Sequence, residues 1–232
     1  MQAVILAAGR GTRMGALTED TPKPLLRING RPILEHILDA LPDEIDEVII
    51  VVGYLGSLIQ KHFGGLYKKG TRILYVEQNV LNGTAGALWS AKDLLKDKFL
   101  VMNGDDICRA DDMQACASSP DWALLVQDVE EVGSSSLVVV DERGCVTDIL
   151  EKEVHKGGTG LANTANFFLL DTRVFSYNPV YRPGSNTEFG LPQTVVQAAK
   201  DIPIHPIEAH SLIRITEPED LQKAQEILTN QG

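Results

Sequence analysis

Two rhythms of apolar residues alternate along the first half of the chain. Residues 3–8 (AVILAA), 47–52 (EVIIVV), 72–77 (RILYVE) and 99–102 (FLVM) are short runs with uncharged centres. The first reads as a strand buried on both faces, the second as another buried strand, and the other two as strands. Between them the period becomes helical. Leu34, Ile37, Leu38 and Leu41 share one face over residues 32–41, with Pro32 at an acceptable early position. Leu58, Ile59 and Phe63 mark a short helix after the breaks at Gly53 and Gly56, and Leu88, Ala91 and Leu95 mark another. Strands alternating with helices imply parallel pairing through right-handed crossovers.

The second half changes character. Residues 122–126 (WALLV) read as a strand. Residues 136–140 and 146–150 flank the turn sequence DERG, an antiparallel hairpin that ends at Glu151 and Lys152. Residues 156–160 (KGGTG) read as a mobile loop and residues 163–170 as a single strand. A helix over 190–199 has Pro192 near its start; 202–207 and 212–215 are short strands; 217–228 is a closing amphipathic helix with early acids that suit its dipole. Neither a repeat nor a low-complexity linker divides the chain, so one domain is expected.

Ligands of open parallel sheets sit beyond the carboxyl ends of the strands. Three candidate elements fall there: the 9–13 loop, the 78–86 segment and Asp105. Gly9 and Gly11 let the backbone approach a ligand, and successive N–H groups can cradle an anion. Arg13 and Lys23 add positive charge, a combination that suits a polyphosphate. A dinucleotide fingerprint would need a third Gly where Met14 stands, and the chain has no Gly-Lys-Ser/Thr P-loop.

Asp105, after Asn103 and Gly104, is placed either to hold Mg²⁺ through oxygen or to cap a helix. Asp106 points the other way from an extended backbone and is the better cap. The Gln78 amide offers the paired donor and acceptor that suit the imide edge of uracil or thymine, and Gly83 can lie against a base. A turn with a helix cap at Thr84 is the alternative. Glu151 and Asn163 suit sugar hydroxyls and Lys152 a sugar phosphate; a solvated Glu-Lys pair and a turn Asn are the plain alternatives. His36 reads as a packing residue.

Composition narrows the classes. The chain has 232 residues, 44% hydrophobic and 23% charged, with a net charge of −11 and a pI near 4.9. An acidic surface argues against bulk nucleic-acid or anionic-membrane binding, though not against a nucleotide held in a local basic pocket. Three irregularly spaced cysteines, Cys108, Cys116 and Cys145, read as reduced thiols. No apolar run is long enough to span a membrane and no secretion signal is visible, so a cytoplasmic location is expected. Oligomeric state is not legible.

The string Leu6-Ala-Ala-Gly-x-Gly-Thr-Arg-Met14, then Leu17-Thr18, then Thr21-Pro-Lys-Pro-Leu-Leu26, resembles the signature of the sugar-1-phosphate nucleotidylyltransferases. The resemblance implies an α/β, three-layer Rossmann-like nucleotidyltransferase fold: a mixed, mostly parallel central sheet with a small antiparallel hairpin extension. It implies a nucleotide-binding half over about residues 1–110 and a sugar-phosphate-binding half over about 111–232. The implied reaction is NTP plus sugar 1-phosphate to NDP-sugar plus pyrophosphate, with Mg²⁺.

Carried onto this chain, Arg13 and Lys23 are catalytic and Asp105 holds the metal. Leu6, Ala8, Gly9, Gly11, Thr12, Gln78, Gly83 and Thr84 bind the nucleotide. Asn103, Gly104, Glu151, Lys152 and Asn163 bind the sugar phosphate. The segment around Gln78 and Gly83-Thr84-Ala85 resembles the base-reading segment of uridylyl- and thymidylyltransferases, which favours UTP or dTTP. There are departures. Ala165 stands where relatives have Gly, which would narrow the sugar pocket. Arg214 stands where an Asp metal ligand is common, so the second ligand comes from elsewhere, with Glu217 one candidate, or water fills the site, or the local register differs. Residues 215–221 (ITEPEDL) also resemble the ending of cytidylyltransferases acting on phosphorylated alcohols such as phosphocholine. That alternative stays open, as does a nucleotide-sensing homologue without catalysis.

Overall fold

The computed structural model describes residues 1–133, 135–152, 154–155, 157–163 and 166–230, with the backbone alone at Lys69 and Asn230. Strand β1 (Gln2–Ala7) leads through two 3₁₀ turns and a small ribbon, β2 (Arg27–Ile28) with β3 (Arg31–Pro32), into helix α1 (Ile33–Ala40). Then β4 (Glu47–Val52), α2 (Gly56–Phe63), β5 (Arg72–Glu77), α3 (Thr84–Ser90) and β6 (Lys98–Asn103) alternate as the hydrophobic pattern predicts. A short strand, β7 (Asp106–Cys108), and helix α4 (Ala110–Ala117) follow. Next come β8 (Trp122–Val129), the hairpin of β9 (Ser136–Val140) and β10 (Val146–Leu150), β11 (Gly160–Asn163) and β12 (Phe168–Asp171). A second ribbon, β13 (Val180–Tyr181) with β14 (Phe189–Gly190), precedes α5 (Leu191–Val195), β15 (Ile204–Glu208), β16 (Leu212–Arg214) and α6 (Pro218–Asn230).

The main sheet has the order β10-β9-β11-β8-β12-β6-β1-β4-β5, with β15 paired to β8. β6, β1, β4 and β5 are parallel neighbours. β12 is antiparallel to both β6 and β8, while β15 runs parallel to β8. The sheet is therefore mixed, and the β9–β10 hairpin is its antiparallel extension.

Alternation along the central strands sorts side chains onto two faces. Ala3, Ile5, Val48, Ile50, Leu100 and Met102 pack with α1, α4 and α6. Val4, Ile49, Val51, Phe99 and Val101 pack with α3 and α5. Helices thus cover both faces of the sheet, giving three layers. Burying each such aliphatic side chain contributes about 1.5–3 kcal/mol, so these strands hold the sheet edge that carries the loops rigidly in place.

Three features differ from expectation. Residues 163–170 form two strands, not one. The Asn163 Oδ1 accepts the Asn166 N–H at 3.2 Å, and Asn166 is left-handed at φ +47, so a side-chain-built turn interrupts the run. Ala165 and Lys156 lie outside the described residues, and Gly160 of the expected loop opens β11. Helix α4 was not visible in the pattern, because Asp112 occupies its inner face. That carboxylate is buried and accepts from the His210 and Ser211 N–H groups and from His210 Nδ1 at 2.6 Å. All three cysteines are free thiols. Among the described residues no helix is long and apolar enough to cross a membrane.

Candidate active site

The carboxyl ends of β1, β4, β5 and β6 meet at one edge and open into a cleft of about 690 Å³. Register brings the loops together. Leu6 pairs with Asn103, and the Gly104 N–H donates to the Leu6 carbonyl at 2.9 Å. The Tyr54 N–H donates to the Ala8 carbonyl at 3.1 Å, and the Gln78 N–H to the Val52 carbonyl at 2.8 Å. Leu6, Ala8, Gly9, Gly11, Thr12 and Arg13 line one wall, with Asn103, Gly104 and Asp105 beside them.

The 9–13 loop is held open by its own geometry. Gly11 is left-handed at φ +63, and a Cβ there would come within 3.2 Å of Lys23 Cβ and Thr18 Cγ2. The Thr18 hydroxyl donates to the Gly11 carbonyl at 3.0 Å, and buried Met14 anchors the following turn. Arg13 is left exposed on the cleft wall. Lys23 is buried and donates through Nζ to Asp105 Oδ2 at 2.5 Å and to the Ile215 carbonyl. One ammonium therefore joins the segment after β1, the carboxylate after β6 and the chain after β16. Arg13 and Asp105 share this cleft.

Asp106 departs from expectation. It caps no helix: α4 begins after Arg109 without a side-chain cap, and Asp106 opens β7 opposite Arg214. It lines the cleft, is buried, and accepts from Asn103 Nδ2 at 3.1 Å. Burial, and then the Asp105 charge, push its carboxyl up to about 8 against the pull of Asn103, Arg214 and Lys23.

At the far end of the cleft, buried Gln78 donates from Nε2 to Asn82 Oδ1 at 3.0 Å and to the Gly83 carbonyl at 3.1 Å. The Gly83 carbonyl can only accept, which fixes the amide's orientation and leaves Oε1 as its remaining polar atom, so the expected paired donor and acceptor is reduced to an acceptor. Thr84 is not the helix cap. Gly83 takes that position, and the Thr84 hydroxyl accepts the Leu191 N–H at 2.9 Å, tying α3 to α5. Gly83 sits at φ +95, and a Cβ would lie 2.4 Å from the Phe189 carbonyl oxygen. Backbone cannot yield as a side-chain tip can, so Gly83→Ala costs about 2 kcal/mol or more in urea unfolding. A midpoint equal to that of the unmodified protein would contradict this.

Glu151 and Asn163 line the opposite wall with Ser135, Ser136 and Gln193. Glu151 Oε1 accepts from Gln193 Nε2 at 2.9 Å, and Asn163 is buried with Nδ2 donating to Asn166 Oδ1 at 3.2 Å. Two sequence candidates are not brought into this wall. Lys152 is exposed on the turn after β10 and does not line the cleft. Glu217 is exposed outside the cleft, so it does not replace the acid that Arg214 displaces; Arg214 itself lines the wall. Gln193 and the two serines carried no motif, and the only sequence signal for Gln193 was a polar residue in the first turn of an apolar helix.

Similarity to known proteins agrees with this geometry. Residues 2–195 match the nucleotidyl transferase family. The UTP–glucose-1-phosphate uridylyltransferase AglF of Haloferax volcanii is 31% identical over 238 residues, covering 98% of this chain and 96% of that protein. The bifunctional protein GlmU of Methanocaldococcus jannaschii is 34% identical over 175 residues, covering 75% of this chain. The match covers 41% of that GlmU, and 47–50% of the Methanococcus ones. The crystal structure of HddC from Yersinia pseudotuberculosis complexed with GMP-PN gives a TM-score of 0.76 at 26% identity, covering 98% of this chain and 99% of that one. The chain belongs to the nucleotidyl transferase family, the family of the sugar-1-phosphate nucleotidylyltransferases whose signature its first 26 residues resemble.

Proposed function

We propose that this protein transfers a nucleotidyl group from UTP or dTTP to a sugar 1-phosphate and releases pyrophosphate. The observation that carries the reading is the Lys23 junction, which sets a glycine-rich anion cradle against the Asp105 carboxylate inside one cleft. Near full-length similarity to AglF supports the sugar-phosphate acceptor. The free Gln78 Oε1 supports the base. It accepts from the imide N–H of uracil or thymine; the ring nitrogen of cytosine at that place cannot donate, although its exocyclic amine can. Guanine presents a ring N–H, and cytosine and adenine an amine, so GTP, CTP and ATP are the competitors to exclude.

The acceptor's phosphate oxygen attacks the α-phosphorus. A P–O bond forms there as the bond to the oxygen bridging the β-phosphorus breaks, and pyrophosphate leaves with that electron pair. No general base is required, because the acceptor phosphate is already ionised at neutral pH. The 9–13 loop orients the triphosphate through its N–H groups, and Arg13 and Lys23 offset its charge. Gln78 and Gly83 hold the base, while Glu151 and Asn163 take sugar hydroxyls.

A Mg²⁺ ion fits Asp105 in one manner. Lys23 Nζ already seats a cation on that carboxylate, and among the described residues no group of three acidic, His or Cys side chains forms a metal cage. One carboxylate completed by water and phosphate oxygens is an ordinary Mg²⁺ arrangement. When bound, the ion would neutralise phosphate charge.

A panel of UTP, dTTP, GTP, ATP and CTP, each with hexose 1-phosphates or phosphocholine, tests the reading by pyrophosphate release. Turnover of UTP or dTTP with a hexose 1-phosphate is expected. Turnover confined to CTP with phosphocholine would overturn it, and nucleotide binding with no release under any acceptor would mark a sensing protein.

A further inference from the structure

Among the described residues, five basic ones line the cleft: Arg10, Arg13, Lys23, Arg182 and Arg214. Three have partners. Arg10 lies over the Tyr54 ring, Lys23 pairs with Asp105, and Arg182 pairs with Glu188 at 3.8 Å. Among the described residues, Arg13 and Arg214 form no ion pair with a carboxylate. The proposed reaction brings two phosphate-bearing substrates to this cleft. Arg13, on the 9–13 loop, is placed for the triphosphate.

Arg214 sits elsewhere. Pairing of β16 with β7 sets it opposite Asp106, next to the Lys23–Asp105 junction. Its Nη1 reaches to 3.5 Å from Ser135 Oγ, on the wall that carries Glu151 and Asn163. That wall is anchored: the Ser135 N–H donates to the Val132 carbonyl at 3.0 Å, and the Ser135 carbonyl contacts His155 Nε2 at 2.8 Å. Buried Ser136 follows, opposite Asn163 in register. Arg214 thus stands between the carboxylate centre and the sugar wall. The acceptor's phosphate must occupy that interval, since it joins the α-phosphorus on one side and the sugar on the other.

We propose that Arg214 binds the phosphate of the sugar 1-phosphate, an assignment that rests on the reaction proposed above. A guanidinium presents two parallel N–H donors to a phosphate, and Arg214 gives up only its long 3.5 Å contact with Ser135 on doing so. Arg214 acts on Asp106 through its field alone: no ion pair joins them, and Asp106 already accepts from Asn103. Lys152, the cation that the sequence offers for this phosphate, does not line the cleft.

Calorimetry with UMP, UDP-glucose and dTDP-glucose separates the phosphate contributed by the acceptor from the rest of the nucleotide. In Arg214→Gln, sugar-nucleotide affinity should fall about tenfold or more while UMP affinity changes less than about twofold. Arg214→Lys should recover part of the loss. In steady state, KM for the sugar 1-phosphate should rise with KM for the nucleotide unchanged. Arg214 is exposed, and unchanged thermal unfolding checks that the variants are folded. Equal sugar-nucleotide affinity in the unmodified protein and Arg214→Gln would overturn the assignment, the more so if Lys152→Gln lost it. If neither sugar nucleotide binds the unmodified protein, the reaction itself fails and this assignment falls with it.

Discussion

Asp105→Asn lowers kcat/KM for pyrophosphate release at least about a hundredfold, equivalent to about 2.7 kcal/mol of transition-state stabilisation. The variant keeps its size and shape but loses the charge that faces the phosphates and pairs with Lys23. Folding is affected separately from catalysis. The Asp105 side chain is 32% exposed, and Lys23 Nζ retains the Ile215 carbonyl and the new amide oxygen. The Lys23 side chain is only 9% exposed, so loss of its counter-charge also lowers stability, by about 1–3 kcal/mol, with the retained hydrogen bonds limiting the cost. Steady-state kinetics beside thermal unfolding measure the two effects separately. Turnover near that of the unmodified protein would remove Asp105 from the mechanism.

Arg13→Ala is the second large effect. Its guanidinium is exposed and lines the cleft, so its removal leaves stability within about 0.5 kcal/mol. Catalysis should still fall about a hundredfold, because a charge-assisted contact to the triphosphate is lost as negative charge shifts toward the leaving pyrophosphate. Arg13→Lys should lie between the two, keeping the charge and losing the paired donors. Loss of activity accompanied by an equal loss of unfolding free energy would show a structural role instead.

How much of this was legible in the sequence depends on what each signal reports. Runs 47–52 and 72–77 became β4 and β5 with the expected bounds; β4 is buried throughout, whereas β5, at the sheet edge, fully buries only Ile73. The DERG turn likewise marked the β9–β10 hairpin. Helix α4 was hidden by Asp112, whose inward carboxylate serves the backbone of residues 210 and 211. The β11–β12 break was hidden because Asn163 and Asn166 build it with side chains rather than with glycine or proline.

The candidate site divides in the same way. Strand ends are readable from periodicity, so the meeting of Gly9, Gln78 and Asp105 at one edge was foreseeable. Side-chain reach is not readable. Nothing local marks the Lys23 contact to Asp105 across 82 residues of chain, the turning of Asp106 into the cleft wall, or the entry of Arg214 while Lys152 stays out.

The proposed reaction is a direct transfer between two substrates held side by side, with no nucleotidyl group parked on the protein. Pyrophosphate release measured with and without the sugar 1-phosphate tests this most directly. Release that depends on the acceptor, one pyrophosphate per sugar nucleotide formed, is the predicted result. A stoichiometric burst of pyrophosphate from the nucleotide alone would contradict it.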